Sequence, residues 1–106
     1  MTGRALVDTG STTSGVRASI ARRLDLPRRG KRPMGGVGGE VQLERIIIRI
    51  AFPPMADPPS FPFVFDDILG MELLDSFSFD VLLGMDIIGN CDLHVLKAGT
   101  ATLEYG

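Results

Sequence analysis

"ALVDTGSTT", residues 5–13, runs two aliphatic residues straight into an acid. Leu6 and Val7 read as a short buried strand over residues 4–8, and Asp8 stands where that strand ends. A carboxylate at the edge of a core is costly unless something nearby stabilises or uses its charge. Thr9 and Gly10 are small, and Gly10 lets the backbone turn or another main chain come close. The stretch therefore presents one acid at a tight turn of small residues. Whether that acid is a turn former or a reagent depends on the rest of the chain.

The 106 residues fit one domain, 1–106, with a sizeable core and no need of a disulfide or metal. The single cysteine, Cys91, excludes an intrachain disulfide. The opening "MTGRALVDTG" has no apolar run behind a basic head, and no run approaches about 18 apolar residues. The expectation is a soluble, cytoplasmic protein with no signal peptide and no membrane span. Charge is unevenly placed: residues 1–50 hold ten Lys/Arg and four Asp/Glu, whereas residues 51–106 hold one and nine. The basic group from Arg17 to Arg32 has no interleaved aromatic residues. It reads as a solvated helix face and loop, neutralised by the acidic half, rather than as a nucleic-acid site.

Outward from the opening stretch, Ser14 is a plausible N-cap for "GVRASIARRLDL", with Val16, Ile20 and Leu24 four apart on a core-facing stripe that stops at Pro27. "RRGKRP" reads as a polar link. The cluster Gly35, Gly36, Val37, Gly38 and Gly39 precedes "VQLERIIIRIAF", residues 41–52, a long strand rich in β-branched residues. "FPPMADPPSFP" carries five of the seven prolines and excludes a central strand or helix there. "FPFVF" reads as an edge strand, "DDILGMELLDSFS" as a loop or one helical turn, and "FDVLLGMDIIGN" as a buried strand ending at Gly84 followed by a short helix. "CDLHVLKAGTATLEYG" alternates as a terminal hairpin turning at residues 97–99. Met34, Met55, Met71 and Met85 read as packing residues, and Cys91 as a small buried hydrophobe. One His and one Cys cannot build a structural zinc site, and no metal or cofactor is expected.

Asp-Thr-Gly alone is weak, arising by chance in roughly one chain in fifty of this length. Its setting adds more: a hydroxyl at Ser11, a glycine-rich tip about 25 residues later by count, and "VLLG" repeating the aliphatic-aliphatic-Gly pattern. Together "ALVDTGS", "SGVRASIARRLDLP", "PMGGVGG", "FDVLLGMDIIGNCDLHV" and "GTATLEY" resemble, in order, the retropepsin-like aspartic proteases. The resemblance implies a mostly β, retropepsin-like acid-protease fold: a closed β-rich lobe with one or two short helices and a β-hairpin flap. It implies an aspartic endopeptidase acting on extended peptides.

With only one Asp-Thr-Gly in the chain, it also implies a homodimer in which each subunit gives one Asp8. Two acids a few Å apart do not both ionise easily, so they share one proton, the general behaviour of aspartic-protease dyads. By the same resemblance Asp8 is the shared acid and base, and Thr9 bonds across the two-fold axis. Gly10 admits main chain near the carboxylates, and Ser11 donates to the outer oxygen of Asp8. Gly35 to Gly39 form the flap, and Leu83 and Gly84 pack beneath the active loop. Retroviral members carry arginine after the glycine of the second motif. This chain has Met85 and then Asp86, which is expected to pair with the basic cluster. The alternative is a dimeric peptide-binding module of the same fold without turnover. Asp8 favours the enzyme, because a scaffold has no need of an acid there.

Overall fold

The computed structural model describes residues 3–36, 39–52 and 63–105. Six strands form one sheet in the order β1-β6-β2-β5-β4-β3: β1 (Ala5–Val7), β2 (Gly15–Arg17), β3 (Arg28–Gly36), β4 (Gly39–Phe52), β5 (Phe63–Leu73) and β6 (Val81–Leu83). Two short helices accompany them, α1 (Ala18–Arg23) and α2 (Met85–Ile88), and β7 (Asp92–Val95) pairs with β8 (Ala101–Glu104) as a separate hairpin. The lobe is mostly β, as the resemblance implies.

The long β-branched run is β4, and the terminal hairpin turns as its alternation predicts, through Gly99 at φ +93°. Tyr105 then stacks on Phe52 at 4.7 Å and Phe63 at 5.6 Å, tying the hairpin to the far ends of β4 and β5. Elsewhere the long-range pairing corrects the local reading. "RRGKRP" is not a link but most of β3, an edge strand paired antiparallel with β4. An edge tolerates Pro33, which lacks an N–H, and Gly30 at φ +88° sits in the register shift between Arg28 and Lys31. The segment read as an edge strand and then a loop is one interior strand, β5, between β2 and β4. Its register shift against β4 falls where Asp67 adopts φ +53°, which interrupts the period-2 pattern. The proline-rich stretch lies at residues 53–62, outside the described residues, as does Met55.

The helix after the opening loop is shorter than its stripe predicts, because residues 15–17 are taken by β2. Ser14 is therefore not its cap. Asp75 serves instead, its Oδ1 accepting the Ser19 N–H at 3.1 Å. At the other end Leu26 N bonds to Ala21 O and Asp25 N to Arg22 O, with Asp25 at φ +52°, a Schellman ending. Val16 is buried and Ile20 partly so, but Leu24 is 58% exposed and not core.

Val16, Ala21, Ile46 and Ile48 form one buried cluster, joined by Ile20, Leu26, Ile50 and Ile68. Met71, Leu73 and Leu82 form a second, with Met34, Leu43 and Phe79 against it. Met71 and Met34 thus pack as expected, whereas Met85 is exposed. The two charge halves meet within the fold: Arg17 pairs with Asp80, Arg22 with Asp75 and Arg28 with Glu72. Among the described residues no helix is long and apolar enough to cross a membrane.

Candidate active site

The opening stretch is held by its counterpart late in the chain. β1 and β6 run parallel with Val7 opposite Leu83, and the Asp8 N–H extends that ladder by donating to Leu83 O at 3.0 Å. Asp8 therefore leaves the sheet at a defined point. Its Oδ1 accepts the Gly10 N–H at 2.9 Å, and its carbonyl accepts the Ser11 N–H at 3.2 Å. The local turn alone thus fixes one carboxylate oxygen. Leu6 and Val7 are exposed rather than buried, each by about two-fifths, because β1 is the sheet's outer strand.

Beneath the loop the fit is close. A Cβ on Gly84 would lie 2.8 Å from the Thr13 carbonyl carbon and oxygen and 2.9 Å from Ser11 O, so only glycine lets the second motif dock there. Met85 N donates to Ser11 O at 2.7 Å. Ser14 is the hub. Fully buried, its Oγ donates to Asp86 Oδ1 at 2.6 Å and accepts the Gly84 N–H at 3.0 Å, while its own N–H donates to Asp86 Oδ2 at 2.9 Å.

Two expectations are corrected here. Asp86 does not turn to the basic cluster, since both its oxygens face Ser14. Ser11 does not donate to Asp8, because its hydroxyl donates to Thr13 O at 2.8 Å and so closes the loop on itself.

Above Asp8 lies an open groove of about 610 Å³. It brings together Asp8, Gly10 and Ser11 with Gly35 and Gly39 of the β3–β4 hairpin, although these segments lie some 25 residues apart by number. Gly36 pairs with Gly39 at the end of that hairpin, and Val37 and Gly38 lie outside the described residues. Thr9 is exposed at the turn and does not line the groove. Leu83 and Gly84 are buried below it. The floor and walls are apolar: Leu6, Met34, Val41, Leu43, Met71, Leu73, Phe77, Phe79 and Leu82. Among the described residues that line the groove, Asp8 is the only carboxylate.

Sequence reading missed the Phe77 and Phe79 wall, with rings stacked 5.3 Å apart at 9°. The two phenylalanines of "DSFSFD" were the available signal, but a turn and bend over residues 75–78, not strand alternation, bring their rings together. It also missed Ser14 and Asp86 as partners, for which the chain holds no local sign.

Comparison with curated proteins gives no match, and comparison with solved structures gives none. A protein-family model described as aspartyl protease matches residues 2–87, from before the Asp8 strand to the helix after Gly84. Both halves of the geometry described above fall inside that span. With most of its length matched, the chain belongs to the retropepsin-like aspartyl protease family.

Proposed function

We propose that two copies of this chain form an aspartic endopeptidase, each supplying one Asp8 to a shared site. The observation that carries the reading is an open, largely apolar groove in which Asp8 is the one carboxylate among the described lining residues. Peptide hydrolysis by carboxylates needs two of them, one to take a proton from water and one to protonate the carbonyl or the leaving nitrogen. A two-fold pairing supplies the second. The Gly10 N–H on Asp8 Oδ1 holds the carboxyl plane while the proton moves. Exposed Thr9 is the residue to lock the facing loop, and the exposed Val7, which does not line the groove, is apolar surface that a second copy would cover. An extended peptide would lie between the Asp8 loop and the β3–β4 hairpin, which adds main-chain hydrogen bonds in the manner of an extra strand.

The test is reassortment. Asp8→Asn is nearly isosteric and should fold but not hydrolyse peptides. Wild-type and Asp8→Asn chains co-refolded in equal amounts should retain roughly a quarter of the activity, the share of wild-type pairs in a random two-fold assembly. Activity near one half means each chain carries its own complete site and rejects the shared dyad. Full activity in folded Asp8→Asn alone rejects Asp8 as the reagent.

A further inference from the structure

The segment between β5 and β6, residues 74–80, carries the Phe77–Phe79 wall and yet belongs to no strand or helix. Backbone carbonyls outside a ladder need donors from elsewhere. Here one side chain supplies three of them. Arg17 Nη1 donates to Asp75 O at 2.9 Å, and Nη2 donates to Phe77 O at 2.7 Å and Phe79 O at 2.8 Å. Nε lies 3.1 Å from Asp80 Oδ1, an ion-pair contact off the line of a hydrogen bond. The Arg17 side chain is only 20% exposed, and its own N–H donates to Asp80 O at 2.8 Å.

Three alternate carbonyls turned to one guanidinium leave the two phenyl rings stacked along the groove, with Phe77 42% exposed. Asp80 extends the chain of contacts to the catalytic strand: its Oδ2 accepts the Arg4 N–H at 2.8 Å, and its N–H donates to Arg4 O. Arg4 immediately precedes β1, which delivers Asp8.

We propose that Arg17 is a positioning residue, which holds the Phe77–Phe79 wall against the groove and so sets the preference for a bulky apolar side chain on the bound peptide. The proposal rests on the peptidase reading for its kinetics but not for its geometry. Lysine cannot replace arginine here: a single ammonium has no planar fork to serve three carbonyls.

The experiment has two arms. In the first, the protein is labelled with 4-fluorophenylalanine, and Phe77 and Phe79 are assigned through leucine substitutions. Arg17→Lys should move those two fluorine signals toward the unfolded position and leave the signals of Phe52, Phe63 and Phe65 in place. This arm needs no activity. In the second, matched peptides carrying Phe or Ala at each position flanking the cleaved bond are compared. Phe77→Ala, at a partly exposed site, identifies the position that the wall reads.

Arg17→Lys should then lose roughly tenfold of the Phe-over-Ala preference in kcat/KM at that same position, with Ala peptides changed by less than about threefold. Added to Phe77→Ala, it should lose nothing further. A uniform loss across all peptides, a preference retained in Phe77→Ala, or fluorine signals of Phe77 and Phe79 that do not move in Arg17→Lys overturns the proposal. Should Arg17→Lys fail to fold, Asp80→Asn replaces it in the fluorine arm alone, with smaller shifts of the same two signals expected and unmoved signals overturning the proposal. Absence of hydrolysis by the wild-type dimer would reject the peptidase reading alone, and the fluorine arm would still decide the role of Arg17.

Discussion

Ser14→Ala isolates the contact that joins the two halves of the site. It removes one hydroxyl from a fully buried position and nothing else. Two bonds disappear: the donor to Asp86 Oδ1 at 2.6 Å and the acceptor for Gly84 N at 3.0 Å. A hydrogen bond to a charged group contributes about 1.5–3 kcal/mol, and a buried N–H left unpaired costs about 1–3 kcal/mol. The two losses share one side chain and overlap, so the expected cost is about 3 kcal/mol. That is a large fraction of the roughly 5–15 kcal/mol by which domains are stable.

The assay is urea unfolding at one fixed protein concentration, since association would raise the apparent stability. The midpoint should fall with the slope unchanged. Asp86→Asn should cost less, because the Asn oxygen still accepts one bond from Ser14. In the double variant the losses should fall short of their sum, since one interaction is removed twice. A cost below about 1 kcal/mol, or full additivity with Asp86→Asn, would refute the hub.

Asp75 is held below its ordinary 3.8 chiefly by the Ser19 backbone N–H and then its side chain, with Arg22 and Arg17 adding to them. A depressed acid contributes stability that is present above its unfolded value and lost as pH falls through the folded one. Wild type should therefore lose more stability than Asp75→Asn between pH 5 and acid below about pH 4, and equal losses by urea titration would contradict this. Asp25→Gly should raise the melting temperature, because the φ of +52° suits glycine. The gain should be at most about 1 kcal/mol, and a decrease would count against the Schellman reading. Gly84→Ala should cost about 1–3 kcal/mol by overpacking and depress hydrolysis, since backbone at Ser11 and Thr13 must move. Stability within about 0.5 kcal/mol of wild type would show that the loop has room.

Features of the chain that depend on neighbours in sequence were legible in it. Asp8 at the end of an aliphatic strand, the β-branched run of β4, the glycine hairpin and the terminal turn each follow from a few adjacent residues, because turn chemistry and strand alternation are local. That Asp8, Gly10, Ser11, Gly35 and Gly39 share a site was implied by the family resemblance those motifs carry, and one groove brings them together. What only the tertiary structure decided depends on partners far along the chain. β3 is a strand because β4 lies beside it, although Arg, Lys, Gly and Pro show no alternation. β5 became an interior strand through neighbours on both sides, since strand formation reflects cross-strand packing more than backbone preference.

Ser14 fits a cap locally, yet its hydroxyl faces Asp86, 72 residues on, because the second motif docks under the first. Arg17 belongs by composition to a basic, solvated run. The fold withdraws it from water and sets it against three carbonyls that have no ladder of their own. A polar side chain's partner is chosen by which backbone groups the fold leaves unpaired, and no local pattern records that choice.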